Sequence, residues 1–144
     1  MKIGIAGDHS AVELKKELID YLSKKGYELI NYGTDTTQSV DYPNYGETLG
    51  KAVMAGEVER GIAICGTGIG IGIACNKVEG IRCGICSDPY SARMACLHNN
   101  AQIIAFGARV VGDELAKMIV DTFLETEFEG GRHQRRVDLL NQIR

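Results

Sequence analysis

The chain has 144 residues, 44% of them apolar and 24% charged, with a formal net charge of -3. That length suits one globular domain that buries roughly two thirds of its unfolded surface. The acidic balance excludes a nucleic-acid footprint, no basic tract suits an anionic membrane surface, and no apolar run approaches the ~20 residues of a membrane span.

From Met1-Lys2 the chain passes into Ile3-Gly4-Ile5-Ala6, too short an apolar run for a signal peptide and read as a first strand. Gly7-Asp8-His9 follows. Ser10-x-x-Glu13 has the form of a capping box. Ala11, Leu14, Leu18, Tyr21 and Leu22 then recur at helical spacing until Gly26 stops the helix. Tyr27 to Tyr32 is expected as a second strand, and a helix from about Tyr45 to Ala55 after the polar loop through Asp41-Tyr42-Pro43. Gly61 to Cys65 reads as the third strand, with the glycine loop Gly66-Thr67-Gly68-Ile69-Gly70 opening a short helix. Ile81 to Cys86 reads as the fourth strand, and Asp88-Pro89 caps a helix running to about Leu97. Ile103 to Phe106 is the fifth strand. Asp113 caps a helix with Leu115, Met118, Ile119 and Phe123 on one face, and an arginine-rich segment, helical from about Gly131, ends the chain.

Strands alternating with helices imply a Rossmann-like three-layer α/β/α sandwich: one domain over residues 1–144, with a five-stranded parallel sheet in the expected order 2-1-3-4-5. Such sheets bind ligands beyond the carboxyl ends of their strands, near the point where strand order reverses. Asp8-His9 and Cys65-Gly66-Thr67-Gly68 follow the first and third strands, which that order sets side by side.

Each candidate residue has a structural alternative. A buried cysteine is usually a small core residue. Cys65, however, stands between a strand and a helix N-terminus, and helix N-termini favour a thiolate. Cys75, Cys83, Cys86 and Cys96 lie inside elements and read as core. An odd count of five cysteines without secretory context suits free thiols in a reducing cytoplasm. The C-x-x-C of Cys83 and Cys86 straddles a strand and has no zinc-like second pair, so no metal site is expected. The glycine loop lacks the Gly-Lys-Ser/Thr of a phosphate-binding P-loop, and it suits an oxyanion or phosphate. Asp8-His9 fits a pre-helical turn as well as a site. His98-Asn99-Asn100 fits a helix C-terminus. Arg132 and Arg136 share a helical face, as a solvated pair or as a clamp for a dianion, and Arg109 follows the fifth strand. All these groups are expected to converge on one edge of the fold.

Gly7-Asp8-His9, Cys65-Gly66-Thr67-Gly68-Ile69-Gly70, Ala74-Cys75-Asn76-Lys77, Asp88-Pro89-Tyr90-Ser91-Ala92, His98-Asn99 and Gly130-Gly131-Arg132-His133-x-x-Arg136 together resemble the B-type ribose-5-phosphate isomerases. The wider family also acts on galactose 6-phosphate and allose 6-phosphate. The likeness runs nearly end to end with every motif in order. Ser10-Ala11-Val12 departs from a small Ala/Gly pair, a matter of packing. Some relatives carry a catalytic glutamate in the loop; Ile71 stands at that position here, so the chain is similar to the cysteine-base branch.

The resemblance implies cofactor-free interconversion of D-ribose 5-phosphate and D-ribulose 5-phosphate through a cis-enediolate, in the non-oxidative pentose phosphate pathway. By the same resemblance Cys65 is the base, Thr67 relays a proton between O1 and O2, and His98 with Asp8 opens the furanose ring. Asp8 and the loop Gly66, Thr67, Gly68, Ile69 and Gly70 line the substrate site. His9, Arg109, Arg132 and Arg136 hold the phosphate, and Asn99 contacts the sugar. Relatives are homodimers or tetramers with composite sites. A hexose 6-phosphate isomerase is the alternative within the class. A nucleotide-binding module is the alternative outside it, and leaves Cys65, His98 and the arginine pair without a shared task.

Overall fold

The computed structural model describes residues 1–143. Its strands are β1 (Lys2–Gly7), β2 (Glu28–Asn31), β3 (Arg60–Cys65), β4 (Cys83–Ile85) and β5 (Ile103–Gly107). Its helices are α1 (Val12–Lys24), α2 (Tyr42–Met54), α3 (Ile69–Asn76), α4 (Pro89–Asn99), α5 (Asp113–Glu125) and α6 (Arg132–Gln142). A 3-10 turn, His9–Ala11, joins β1 to α1.

All strand pairs are parallel, and the sheet order is β2-β1-β3-β5-β4. The expected α/β sandwich holds, but β5 rather than β4 lies against β3. The reason lies in the strands themselves. A strand in the middle of a parallel sheet is covered on both faces and must be apolar throughout. Ile103, Ile104, Ala105 and Phe106 are fully buried, whereas β4 is three residues long and leaves Ile85 41% exposed. The shorter, less apolar strand takes the edge.

Side chains alternate across β3. Ile62 and Ile64 join Ile3, Ile5, Leu18, Leu22, Phe106, Ile119 and Phe123 in one apolar layer. Ala63 and Cys65 join Leu49, Ile71, Cys75, Ile103 and Ala105 in the other. Cys83 and Cys86 fall into opposite layers, as the strand period requires. The second layer is built of small residues because α2 and α3 lie close together. A Cβ at Gly46 would stand 2.7 Å from that of Ala74.

Three helix starts differ from expectation. α2 begins at Tyr42 rather than about Tyr45, because Pro43 fits the first turn of a helix, where its missing amide hydrogen costs nothing. The Ser10–Glu13 capping box does not form, because the 3-10 turn intervenes. Asp8 caps that turn instead, its Oδ1 accepting from the Ser10 amide at 3.0 Å and the Ser10 hydroxyl at 2.5 Å. Gly112, not Asp113, is the N-cap of α5; Asp113 is its first residue and accepts from the Glu114 amide. Asp88 caps α4 as expected, accepting from the Ser91 amide at 2.7 Å.

Candidate active site

Three strand ends meet at the carboxyl edge of the sheet. Gly7 pairs with Ile64, and the Asp8 amide donates to the Ile64 carbonyl at 3.2 Å, so Asp8 sits beside the end of β3. Cys65 pairs with Gly107. Beyond that pair, the Ala108 amide donates to the Cys65 carbonyl and the Arg109 amide to that of Gly66, at 2.8 and 3.1 Å. The loops after β3 and β5 thus form one platform.

The platform needs its glycines for contact. A Cβ on Gly107 would lie 2.5 Å from the Thr67 Cα and 2.6 Å from the Gly66 oxygen. One on Gly68, whose φ is +83°, would lie 2.5 Å from the Phe106 backbone. Backbone rests on backbone here, and no side chain can move aside.

This packing aims the loop at the thiol. Cys65 is 5% exposed, and the Gly68 amide donates to its Sγ at 3.2 Å. Thr67 is exposed and its hydroxyl accepts from the Ile69 amide at 3.2 Å, at the mouth of α3. The first-turn amides of Gly70 and Ile71 lack intrahelical acceptors, which is the arrangement that receives an anion. Arg109 lies over Gly66: a Cβ there would be 3.4 Å from its guanidinium and 3.9 Å from the Ser10 hydroxyl. His9 is half-buried, and its Nδ1 accepts from the Val40 amide at 3.2 Å, which leaves Nε2 to carry the proton when the ring is neutral.

The other thiols differ in setting. Burial pushes the Cys86 thiol up to about 11 and raises that of Cys96. A hydrogen bond with Cys75, with burial second, raises Cys83.

Tyr42 was not singled out from the sequence. Its ring lies where a Cβ on Gly70 would be, 2.5 Å away, so it walls the glycine loop from the α2 side. The only sequence signal was an aromatic residue beside Pro43 at the start of a helix, which is too common to mark a site.

The expected convergence on one edge does not occur within one chain. Asp8, His9, Cys65, the glycine loop and Arg109 gather at the carboxyl edge; His98, Asn99, Arg132 and Arg136 do not join them. Arg82, just before β4, donates to the Asn99 carbonyl at 2.9 Å, and the Gln102 amide just before β5 donates to the Arg82 carbonyl. Those are amino ends of strands. At about 3.3 Å per residue, the two edges stand roughly 15 Å apart along β3 and β5.

At that far edge His98 stacks on His133 with ring centroids 4.2 Å apart and planes at 17°. The Glu129 carboxylate lies 3.9 Å from Nε2 of His98 and 3.8 Å from Nε2 of His133. These three residues are the one cluster of potential metal-ligating side chains among the described residues. Two parallel rings direct their in-plane lone pairs side by side rather than at one point, so the stack is not arranged around a cation. Burial, then the neighbouring His98, holds the His133 imidazole below its ordinary value. Arg132 and Arg136 are exposed on α6, four residues apart, and the Glu129 amide ties this segment to the Leu97 carbonyl of α4 at 3.2 Å.

A cavity of about 810 Å³ also lies at this edge, lined in part by Ile73, Arg82, Asn99, Leu140 and Ile143. It is remote from Cys65. Large apolar side chains are exposed on the α3 side of the sheet: Ile69, just after the glycine loop, at 54%, Ile73 farther along α3 at 51%, and Ile85 on the edge strand at 41%.

Comparison with known proteins adds a family. The family model described as Ribose/Galactose Isomerase matches residues 3–140. Ribose-5-phosphate isomerase B of Escherichia coli K12 is 50% identical over 142 residues, 99% of this chain and 95% of that protein. D-erythrulose-4-phosphate isomerase of Pectobacterium atrosepticum is 47% identical, over 96% and 91% of the two chains. The solved structure of Clostridium thermocellum ribose-5-phosphate isomerase B superposes with a TM-score of 0.97 at 54% identity, covering 99% of this chain and 96% of that one.

Proposed function

The chain belongs to the ribose/galactose isomerase family, and on that footing we propose that it interconverts D-ribose 5-phosphate and D-ribulose 5-phosphate, with Cys65 as the base. One observation carries the assignment of the base. Cys65 ends a central strand with the Gly68 amide 3.2 Å from its sulfur, beside backbone amides free to hold a developing oxyanion.

Moving the carbonyl from C1 to C2 requires removal of the C2 proton. Cys65 takes it as thiolate, a role worth typically ~10²–10⁴-fold. The negative charge passes to the enediolate oxygens, where the amides of the glycine loop meet it and stabilise the transition state more than the substrate. Thr67, exposed at the loop's tip, moves a proton between O1 and O2. His9 and Arg109 suit the phosphate at this edge. No step of the scheme calls on a metal or an organic cofactor.

Ring opening and the remaining phosphate contacts fall to His98, Asn99, Arg132 and Arg136, which a single chain leaves roughly 15 Å from Cys65. A second copy brings them over. Two supports favour a homodimer with composite sites: the functional residues of one chain fall into two separated halves, and Ile69, directly after the glycine loop, exposes apolar surface on the Cys65 half. Asp8 of the Cys65 half then faces the partner's ring-opening group. Five free thiols suit a reducing cytoplasm.

The test is Cys65→Ala, assayed for net conversion and for deuterium uptake. Ribulose 5-phosphate cannot close a furanose, because the hydroxyl it would use carries the phosphate. In deuterated water its C1 proton therefore exchanges without ring chemistry. Cys65→Ala is expected to lose both activities at nearly unchanged KM. Near-normal kcat overturns the reading. Comparing kcat/KM on ribose 5-phosphate, erythrulose 4-phosphate and allose 6-phosphate fixes the chain length of the substrate.

A further inference from the structure

The reaction scheme leaves Glu129 and His133 without a task, yet the fold takes trouble to place them. Thr126 to Gly131 leave α5 and cross the end of α4, where the Glu129 amide bonds to the carbonyl of Leu97, next to His98. Gly130 and Gly131 follow at φ +73° and +55°, in the left-handed region that side chains resist. This reversal starts α6 so that His133, its amide donating to the Gly130 carbonyl at 3.0 Å, comes back beneath His98. His133 is 4% exposed and its Nε2 is buried without a hydrogen-bond partner among the described residues.

We propose that Glu129 and His133 are positioning residues for His98: the carboxylate faces its Nε2, the buried ring backs its face, and Nδ1 is left as the nitrogen that works on the sugar. This rests on the ring-opening role given to His98 above.

The electrostatics agree with that division. Two imidazolium rings 4.2 Å apart would repel, so the stack disfavours a second proton. His133 faces His98 from α4, Glu129 from the connecting segment, and Arg132 and Arg136 from its own helix. Burial acts first against its charged form, then His98; Glu129 opposes them, and the two arginines add to them. His98, by contrast, is half-exposed with the carboxylate beside it. At 3.9 Å the contact is an ion-pair approach rather than a hydrogen bond. A carboxylate so placed orients the ring without locking it.

The experiment follows the His98 imidazole by NMR titration in the full-length protein, alongside net conversion and C1 exchange. Removing one charge at ~4 Å in water-like surroundings corresponds to about 0.7 of a pKa unit. Glu129→Gln is expected to lower the His98 titration midpoint by about that amount, and to lower the ratio of conversion to exchange with KM unchanged. His133→Phe, which keeps a flat buried ring, is expected to hold that ratio within about twofold. His133→Ala removes the backing and is expected to lower it. An unshifted His98 midpoint in Glu129→Gln, or conversion and exchange falling in equal proportion, overturns the clamp. His98→Asn distinguishes the two readings: equal loss of conversion and exchange there removes the ring-opening role itself, whereas the midpoint shift tests the clamp independently.

Discussion

Cys65 and Gly107 are register partners across β3 and β5, and the missing side chain at Gly107 is what allows the loop after Cys65 to lie on β5. The geometry of the proposed base is thus set by a residue that touches no substrate. Gly107→Ala forces a Cβ to within 2.5 Å of the Thr67 backbone. Overpacking of this kind costs about 1–3 kcal/mol, and an ångström of misplacement near the chemistry costs on the order of 10²-fold in rate. Urea unfolding is expected to show the first loss and kcat the second. A fully active, equally stable variant would show that the loop has room to shift.

Mixing two inactive variants tests the composite site. A dimer of one Cys65→Ala chain and one His98→Asn chain has one site with both residues intact and one with neither. Random pairing gives half of all dimers this composition, so roughly a quarter of wild-type sites return. Co-refolded mixtures are expected to regain activity to that level. No regain would place both residues in one chain's site, contrary to the separation along the sheet.

For Arg132 and Arg136, the substrate supplies the control. A charge-assisted contact is worth about 1.5–3 kcal/mol, or ten- to a hundredfold. Either alanine variant is expected to raise KM for ribose 5-phosphate by that factor and to leave slow turnover of unphosphorylated ribose nearly unchanged. Equal losses on both sugars point to assembly or folding instead.

His133 predicts a pH dependence of stability. Its buried imidazole titrates below the ordinary value, so the unfolded chain binds the proton first as pH falls. The stabilising contribution is complete above about pH 6.5 and is lost on acidification toward the folded-state value. Urea midpoints measured from pH 7.5 to pH 5 are expected to fall for the wild type and to fall less for His133→Phe. Identical slopes would mean that His133 is not the group responsible.

The carboxyl-edge half of the site was legible because it is local in sequence. Asp8 and Cys65 each end an apolar run, and parallel strands bring such ends together whatever lies between them. Strand order was harder, since periodicity alone does not rank two apolar runs. Composition does, since Ile103-Ile104-Ala105-Phe106 is apolar throughout while Arg82 and Gly84 interrupt the other run; length misled, because Ile81 to Cys86 reads as six residues and only Cys83–Ile85 forms strand. The placement of His98 was within reach. A helix that starts at the carboxyl edge and runs 11 residues at 1.5 Å each returns roughly 16 Å, to the amino edge. The Glu129–His133 arrangement was not legible, because it depends on two glycine torsions and a helix-to-loop hydrogen bond that no spacing reports.

The sheet also acts as a partition among the thiols. Cys75 and Cys83 lie in one layer and Cys86 and Cys96 in the other, all packed against the core. Protonated, buried sulfur reacts slowly with peroxide, whereas a thiolate near a helix N-terminus is oxidised readily. Cys65 alone of the five ends a strand at the mouth of a helix, so an oxidant that enters the site is expected to meet it first and to stop at a sulfenic acid that small thiols reverse. A fold with five cysteines would then behave toward oxidants as though it had one.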